Sequence, residues 1–195
     1  TKALLKSAQV FEYINHAEDF GISIKDASAD FPSIIKRSRD VADGMSKGIS
    51  YLLKKNKVEV LNGFGKVKKS NKVSVTIDGK ETEYSAKHII IATGARSREL
   101  PNLPQDGKKV IGYRDALALS KAPKKMVIVG SGAIGVEFAY FYNAMGTEVT
   151  VVEFMPNIVP VEDKDISRQL QKSFKKKGIN VMTDSSVEKV DVKGS

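Results

Sequence analysis

A chain of 195 residues, 41% hydrophobic and 28% charged, holds material for one large domain or parts of two and is too apolar to stay disordered. It has no run of 18 apolar residues, and its opening TKALLKSAQV lacks the charged, apolar and small-residue regions of a signal peptide, so a soluble chain with no membrane partner is expected. The lack of cysteine excludes disulfides, thiolate metal sites and a thiol nucleophile within these residues; the net charge of +9 lies in short lysine clusters without interleaved aromatics, which argues against a nucleic-acid partner.

In chain order, residues 1 to 18 read as helical and residues 31 to 55 more firmly so. Asp30 is placed to cap the second helix, Pro32 suits its first turn, and Phe31, Ile34, Ile35, Val41, Met45, Ile49, Leu52 and Leu53 form an apolar stripe. The period then changes to two: Val73, Val75 and Ile77 alternate with polar neighbours, Asp78-Gly79 makes a tight turn, and Thr82 and Tyr84 return as a hairpin. Ile89 to Ile91 read as a buried strand that breaks at Thr93-Gly94, with Pro101 and Pro104 in a linker. His16 and His88 have no partners at metal or catalytic spacing, and no metal site is expected.

From Lys124 the order becomes strand, turn, helix, strand. Met126 to Val129 predict a strand, residues 133 to 145 a helix ending at Gly146, and Glu148 to Val152 a second strand. A helix over residues 163 to 177 and a strand at Ile179 to Met182 follow, with a further strand over Val187 to Val192. This is an α/β pattern, the βαβαβ half of a Rossmann-like doubly wound parallel sheet.

Gly130, Gly132 and Gly135 fit G-x-G-x-x-G within VIVGSGAIGVE. Gly130 permits the turn out of the strand, Gly132 lets backbone approach a pyrophosphate, and Gly135 lets helix pack on strand. The helix start at Ala133 and Ile134 offers unpaired N–H groups and a positive dipole end, to which Ser131 adds a hydroxyl. Glycine turns also arise for structural reasons alone, but here the motif follows a strand, opens a helix, and precedes an acid, Glu153, 23 residues after Gly130. A carboxylate there accepts hydrogen bonds from ribose and repels a 2′-phosphate, which favours NAD over NADP.

These stretches, IIIATGARSRELP and VIVGSGAIGVEFAYFYNAMGTEVTVVEFMPNIVPVEDKDIS, together with the opening TKALL, resemble the pyridine nucleotide-disulfide oxidoreductase family, most closely its dihydrolipoamide dehydrogenase branch. The resemblance implies a partial FAD-binding domain over residues 1 to 115, containing the hairpin or a meander, and an incomplete NAD-binding domain over residues 116 to 195. It implies FAD contacts at Gly65, Thr93 and Gly94, and a pairing of Lys2 with Glu137 that positions flavin and nicotinamide. It also implies that the chain is an internal fragment, inactive alone, of a homodimeric enzyme of 2-oxoacid dehydrogenase complexes. That enzyme oxidises dihydrolipoamide or a lipoyl domain and passes hydride from FAD to NAD⁺, and it suits the cytoplasm or, in a eukaryote, the mitochondrial matrix. Two other readings stay open: a related disulfide reductase or transhydrogenase, and a non-catalytic nucleotide-binding module, which the lack of cysteine favours.

Overall fold

Where the apolar period is 3.6, helices form in the computed structural model, which describes residues 1–192. Helix α1 (Lys2–Asn15) leads into a 3-10 turn (Ala17–Phe20), and α2 (Phe31–Lys55) follows. Asp30 caps α2 as expected, its carboxylate accepting from the Ser33 amide at 3.2 Å and the Ser33 hydroxyl at 2.6 Å. Strands β1 (Phe64–Lys68), β2 (Lys72–Ile77) and β3 (Lys80–Ser85) form an antiparallel meander. The Asp78-Gly79 turn has φ of 49° and 80°, the positive pair that a two-residue hairpin requires.

After the short helix α3 (Tyr113–Ala116) come β4 (Lys125–Val129), α4 (Ala133–Ala144), β5 (Glu148–Val152), α5 (Lys164–Lys176) and β6 (Asn180–Met182). The last three strands are parallel in the order β4-β5-β6, which is the doubly wound half-sheet.

The packing divides the chain into two compact units: Thr1–Ala42 with the chain from Ser97 onward, and Asp43–Arg96. The boundary near residue 115 implied by the resemblance is not the line along which the packing divides. In the first unit, Leu4 and Ala8 of α1 and Phe31 and Ile35 of α2 meet Phe138, Phe141 and Tyr142 of α4, and Val149 and Val151 of β5. The aromatic residues of α4 are therefore core. Glu12 on α1 accepts from the Tyr140 hydroxyl at 2.7 Å and from Lys177, tying α1 to α4 and to the end of α5.

Tyr142 is fully buried, and its hydroxyl donates to the Ala116 carbonyl at 2.5 Å. Burial pushes its phenol up to about 12, so the bond persists at neutral pH. Tyr142→Phe leaves that carbonyl without its buried donor and is expected to lower stability by about 1–2 kcal/mol. An unchanged urea midpoint would contradict this.

Three expectations fail. Ile89 to Ile91 form no strand, and Ile90 and Ile91 are 90% and 73% exposed. Val187 to Val192 form no strand either; the Asn102 side-chain amide donates to the Val187 and Glu188 carbonyls instead. The cause is the same in both: apolar runs become strands only when a neighbour completes the ladder, and none among the described residues does. The stripe on α2 is helical throughout, but Met45, Ile49 and Leu52 are exposed because no described element covers them.

Candidate functional site: the glycine loop and its buried carboxylate

The loop between β4 and α4 lies at the carboxyl ends of the parallel strands, where open α/β sheets bind ligands. Its glycines answer to different demands. Gly130 turns with φ of 97°, and its amide donates to the Val152 carbonyl at 2.8 Å, which fixes the turn to β5. At Gly135 a Cβ would stand 2.1 Å from the Gly130 carbonyl oxygen, so the fold itself excludes a side chain there. Gly132 is the contrast: it adopts φ −64° and ψ 177°, open to any residue, and its Cβ would meet nothing within 4 Å. The fold therefore does not require glycine at 132.

The first helical bond of α4 runs from the Val136 amide to the Gly132 carbonyl at 3.1 Å. The amides of Gly132, Ala133, Ile134 and Gly135 therefore precede the ladder and, with the helix dipole, suit an anion. Gly132, Ala133 and Ile134 are exposed, and these residues with Gly130 and Gly135 line an open cleft of about 1200 Å³. The size, the open face of Gly132 and the free amides fit a dinucleotide pyrophosphate.

Glu153, directly after β5, sits where the ribose-binding acid is expected, yet it is only 7% exposed. Its Oε2 accepts from the Ser131 amide at 2.8 Å and the Ser131 hydroxyl at 2.6 Å; its Oε1 accepts from the Met155 amide at 2.8 Å. Desolvation pushes its pKa up, but the bonds from Met155 and Ser131 outweigh it and hold the carboxyl below its ordinary value. Ser131 is fully buried, and its hydroxyl faces Glu153 rather than the cleft. Three exposed apolar side chains stand beside the loop and the carboxylate in sequence: Ile134, Phe154 and Met155.

The remaining candidates are less gathered. Lys2 heads α1 and Glu137 lies on α4, and the two helices pack together, but no ion pair joins these two side chains. Gly65, Thr93 and Gly94 belong to the second unit and are exposed; a Cβ at Gly65 or Gly94 would meet nothing within 4 Å, and Thr93 and Gly94 lie in no helix or strand. No cluster of metal-ligating side chains occurs among the described residues, nor any helix long and apolar enough to cross a membrane.

The family model for pyridine nucleotide-disulphide oxidoreductases matches residues 1–195. A dihydrolipoyl dehydrogenase of Zymomonas mobilis is 46% identical over 189 residues, which are 96% of this chain and 41% of that protein. One from Chlorobaculum tepidum is 46% identical over 196 residues, 100% of this chain and 42% of that protein. Among solved structures, LpdA from Mycobacterium tuberculosis superposes with a TM-score of 0.88 at 28% identity, covering 99% of this chain and 43% of that one. The chain thus spans about two fifths of the length of the relatives it matches.

Proposed function

Because the chain belongs to the pyridine nucleotide-disulphide oxidoreductase family, we propose that it is part of a dihydrolipoyl dehydrogenase and that its glycine loop receives NAD⁺. FAD and NAD are the cofactors of this family's dihydrolipoyl dehydrogenases, and together they supply the transfer of hydride from a flavin to a nicotinamide. The chain's own share is on the dinucleotide side. The amides of Gly132, Ala133 and Ile134 bind the pyrophosphate, Glu153 faces the adenosine ribose, and Ile134 and Phe154 offer apolar surface beside it. Lys2 and Glu137 are assigned the positioning of nicotinamide and flavin, and Gly65, Thr93 and Gly94 the FAD contacts. Both assignments rest on resemblance, and at the last three residues the geometry lends none of its own. At its natural length the protein acts on dihydrolipoamide or a lipoyl domain, as a homodimer within 2-oxoacid dehydrogenase complexes; likeness to the relatives supports this.

The observation that carries the reading is the contrast between Gly135, which the fold demands, and Gly132, which it does not. Gly132→Asp tests it in the natural-length protein. Aspartate is a favoured N-cap and its charge suits a helix start, so the thermal midpoint should hold or rise. The same charge repels a pyrophosphate, so NAD⁺ affinity should fall at least on the order of tenfold. Unchanged affinity would remove the loop from the binding site.

A further inference from the structure

We propose that Val159 is a positioning residue whose main-chain N–H aims the Gly132 amide at the dinucleotide pyrophosphate before any ligand arrives; this rests on the dinucleotide reading above. Ser131 and Gly132 share one peptide plane, and in a trans peptide the carbonyl and the N–H point in opposite directions. Whatever holds the Ser131 carbonyl therefore directs the Gly132 amide. The Val159 amide holds it, donating to that oxygen at 3.0 Å and to the Ser131 hydroxyl oxygen at 3.2 Å. Val159 and Ser131 are buried, whereas Gly132 is exposed and lines the cleft. The Gly132 N–H is thus turned to the cleft, where it meets no acceptor among the described residues. The preceding plane, Gly130–Ser131, is held as well, its N–H donating to Glu153 Oε2 at 2.8 Å. Residues outside the loop fix both planes, so a glycine at 132 does not leave them free to turn.

The backbone of Val159 is the observation that points to this role. A β-branched residue rarely takes a positive φ, yet Val159 is buried at φ 42°. Such a conformation persists only where its surroundings over-determine it, and it is found preferentially at ligand clamps and active sites. Here both ends of the residue are gripped. Besides the bonds from its amide to Ser131, its carbonyl accepts from the Glu162 amide at 2.9 Å and from the Ser167 hydroxyl at 3.4 Å. The segment between β5 and α5 thereby reaches back to the glycine loop and stiffens it. An amide already aimed at the pyrophosphate gives up no orientational freedom on binding, and a carbonyl already bonded makes the N–H of its plane a stronger donor.

The test removes one N–H from the natural-length protein: Val159 is replaced by its α-hydroxy analogue, which keeps the side chain and puts an ester oxygen where the amide stood. NAD⁺ affinity, measured by calorimetry, should fall on the order of tenfold. ADP-ribose, which keeps the pyrophosphate and lacks the nicotinamide, should lose the same factor. Ser167→Ala is the comparison, since it removes a donor from the opposite end of Val159: its thermal midpoint should fall while its NAD⁺ affinity stays within about threefold of wild type. An ester protein that binds NAD⁺ as wild type does overturns the proposal, as does one that loses affinity for NAD⁺ but not for ADP-ribose. A Ser167→Ala protein that loses as much affinity as the ester protein overturns it too, because the effect would then follow stability alone. Should the ester protein not fold, hydrogen exchange of the wild type decides. The Val159 amide should be protected before NAD⁺ is added, and an amide that exchanges freely until NAD⁺ binds overturns the proposal. Wild-type protein that binds no NAD⁺ at all would instead sink the dinucleotide reading and this inference with it.

Discussion

Gly135→Ala is expected to cost about 3 kcal/mol or more of folding stability, a large share of the roughly 5–15 kcal/mol that holds a typical domain together. The added Cβ would stand 2.1 Å from the Gly130 carbonyl oxygen, 3.2 Å from its carbonyl carbon and 3.4 Å from Ile128 Cγ2. The nearest atoms are backbone, so no rotamer change relieves the clash. Gly130 cannot yield freely either, since its amide is bonded to the Val152 carbonyl at 2.8 Å, and moving it pulls on β5. The helix would have to lift from β4, opening the contact between α4 and the sheet on which the first unit's core depends. Denaturant titration of the variant measures this directly. A midpoint equal to wild type would mean that the close approach of α4 to β4 is not a feature of the folded protein.

Glu153→Ala should lower stability by a comparable amount, about 3 kcal/mol, and narrow the preference between the two dinucleotides. It strands the Ser131 amide, the Ser131 hydroxyl and the Met155 amide, the first two belonging to a fully buried residue. Unsatisfied buried donors cost about 1–3 kcal/mol each, less whatever water can enter. The effect has a pH signature. Glu153 is held below its ordinary value of 4.5, so its stabilisation is full above that value and is lost as pH falls through the lower folded value. Wild type should therefore lose stability on acidification below about pH 4.5, and Glu153→Ala should lose less over the same window. Removing the carboxylate also removes the repulsion of a 2′-phosphate, so the preference for NAD over NADP should narrow. Parallel acid titrations with equal slopes would show that this carboxylate does not carry the linkage.

What the sequence disclosed divides along the range of the interactions. Elements set by local periodicity and local stop signals were legible: β5 falls on Glu148–Val152, and α5, over Lys164–Lys176, ends where Gly178 takes φ 76°. The turn at Asp78-Gly79 was legible for the same reason, since its two positive φ values are a property of two residues. Elements set by a distant partner were not. Ile89 to Ile91 have the composition of a strand without a ladder to join, whereas β1, rich in lysine and glycine and exposed throughout, is a strand because β2 pairs with it. The site shows the same division. The loop glycines and the acid could be read from spacing, but the bond between Ser131 and Glu153 spans 22 residues of sequence. Nothing in VGSG or VVEF reveals that the serine turns inward to the carboxylate rather than outward to a phosphate. The positive φ of Val159 was hidden likewise, since its amide bonds to Ser131, 28 residues earlier in the chain.

The central claim is that this loop receives NAD and that Glu153 turns away its 2′-phosphorylated counterpart. No cation stands next to the carboxylate in sequence to reverse that choice: residues 154 to 157 are Phe, Met, Pro and Asn, and the first arginine downstream, Arg168, is paired with Asp165. Calorimetric titration of NAD⁺ and NADP⁺ into the natural-length protein is the most direct measurement. The predicted result is saturable binding of NAD⁺ at least on the order of tenfold tighter than NADP⁺. Equal affinity for the two, or no binding of NAD⁺, would contradict it.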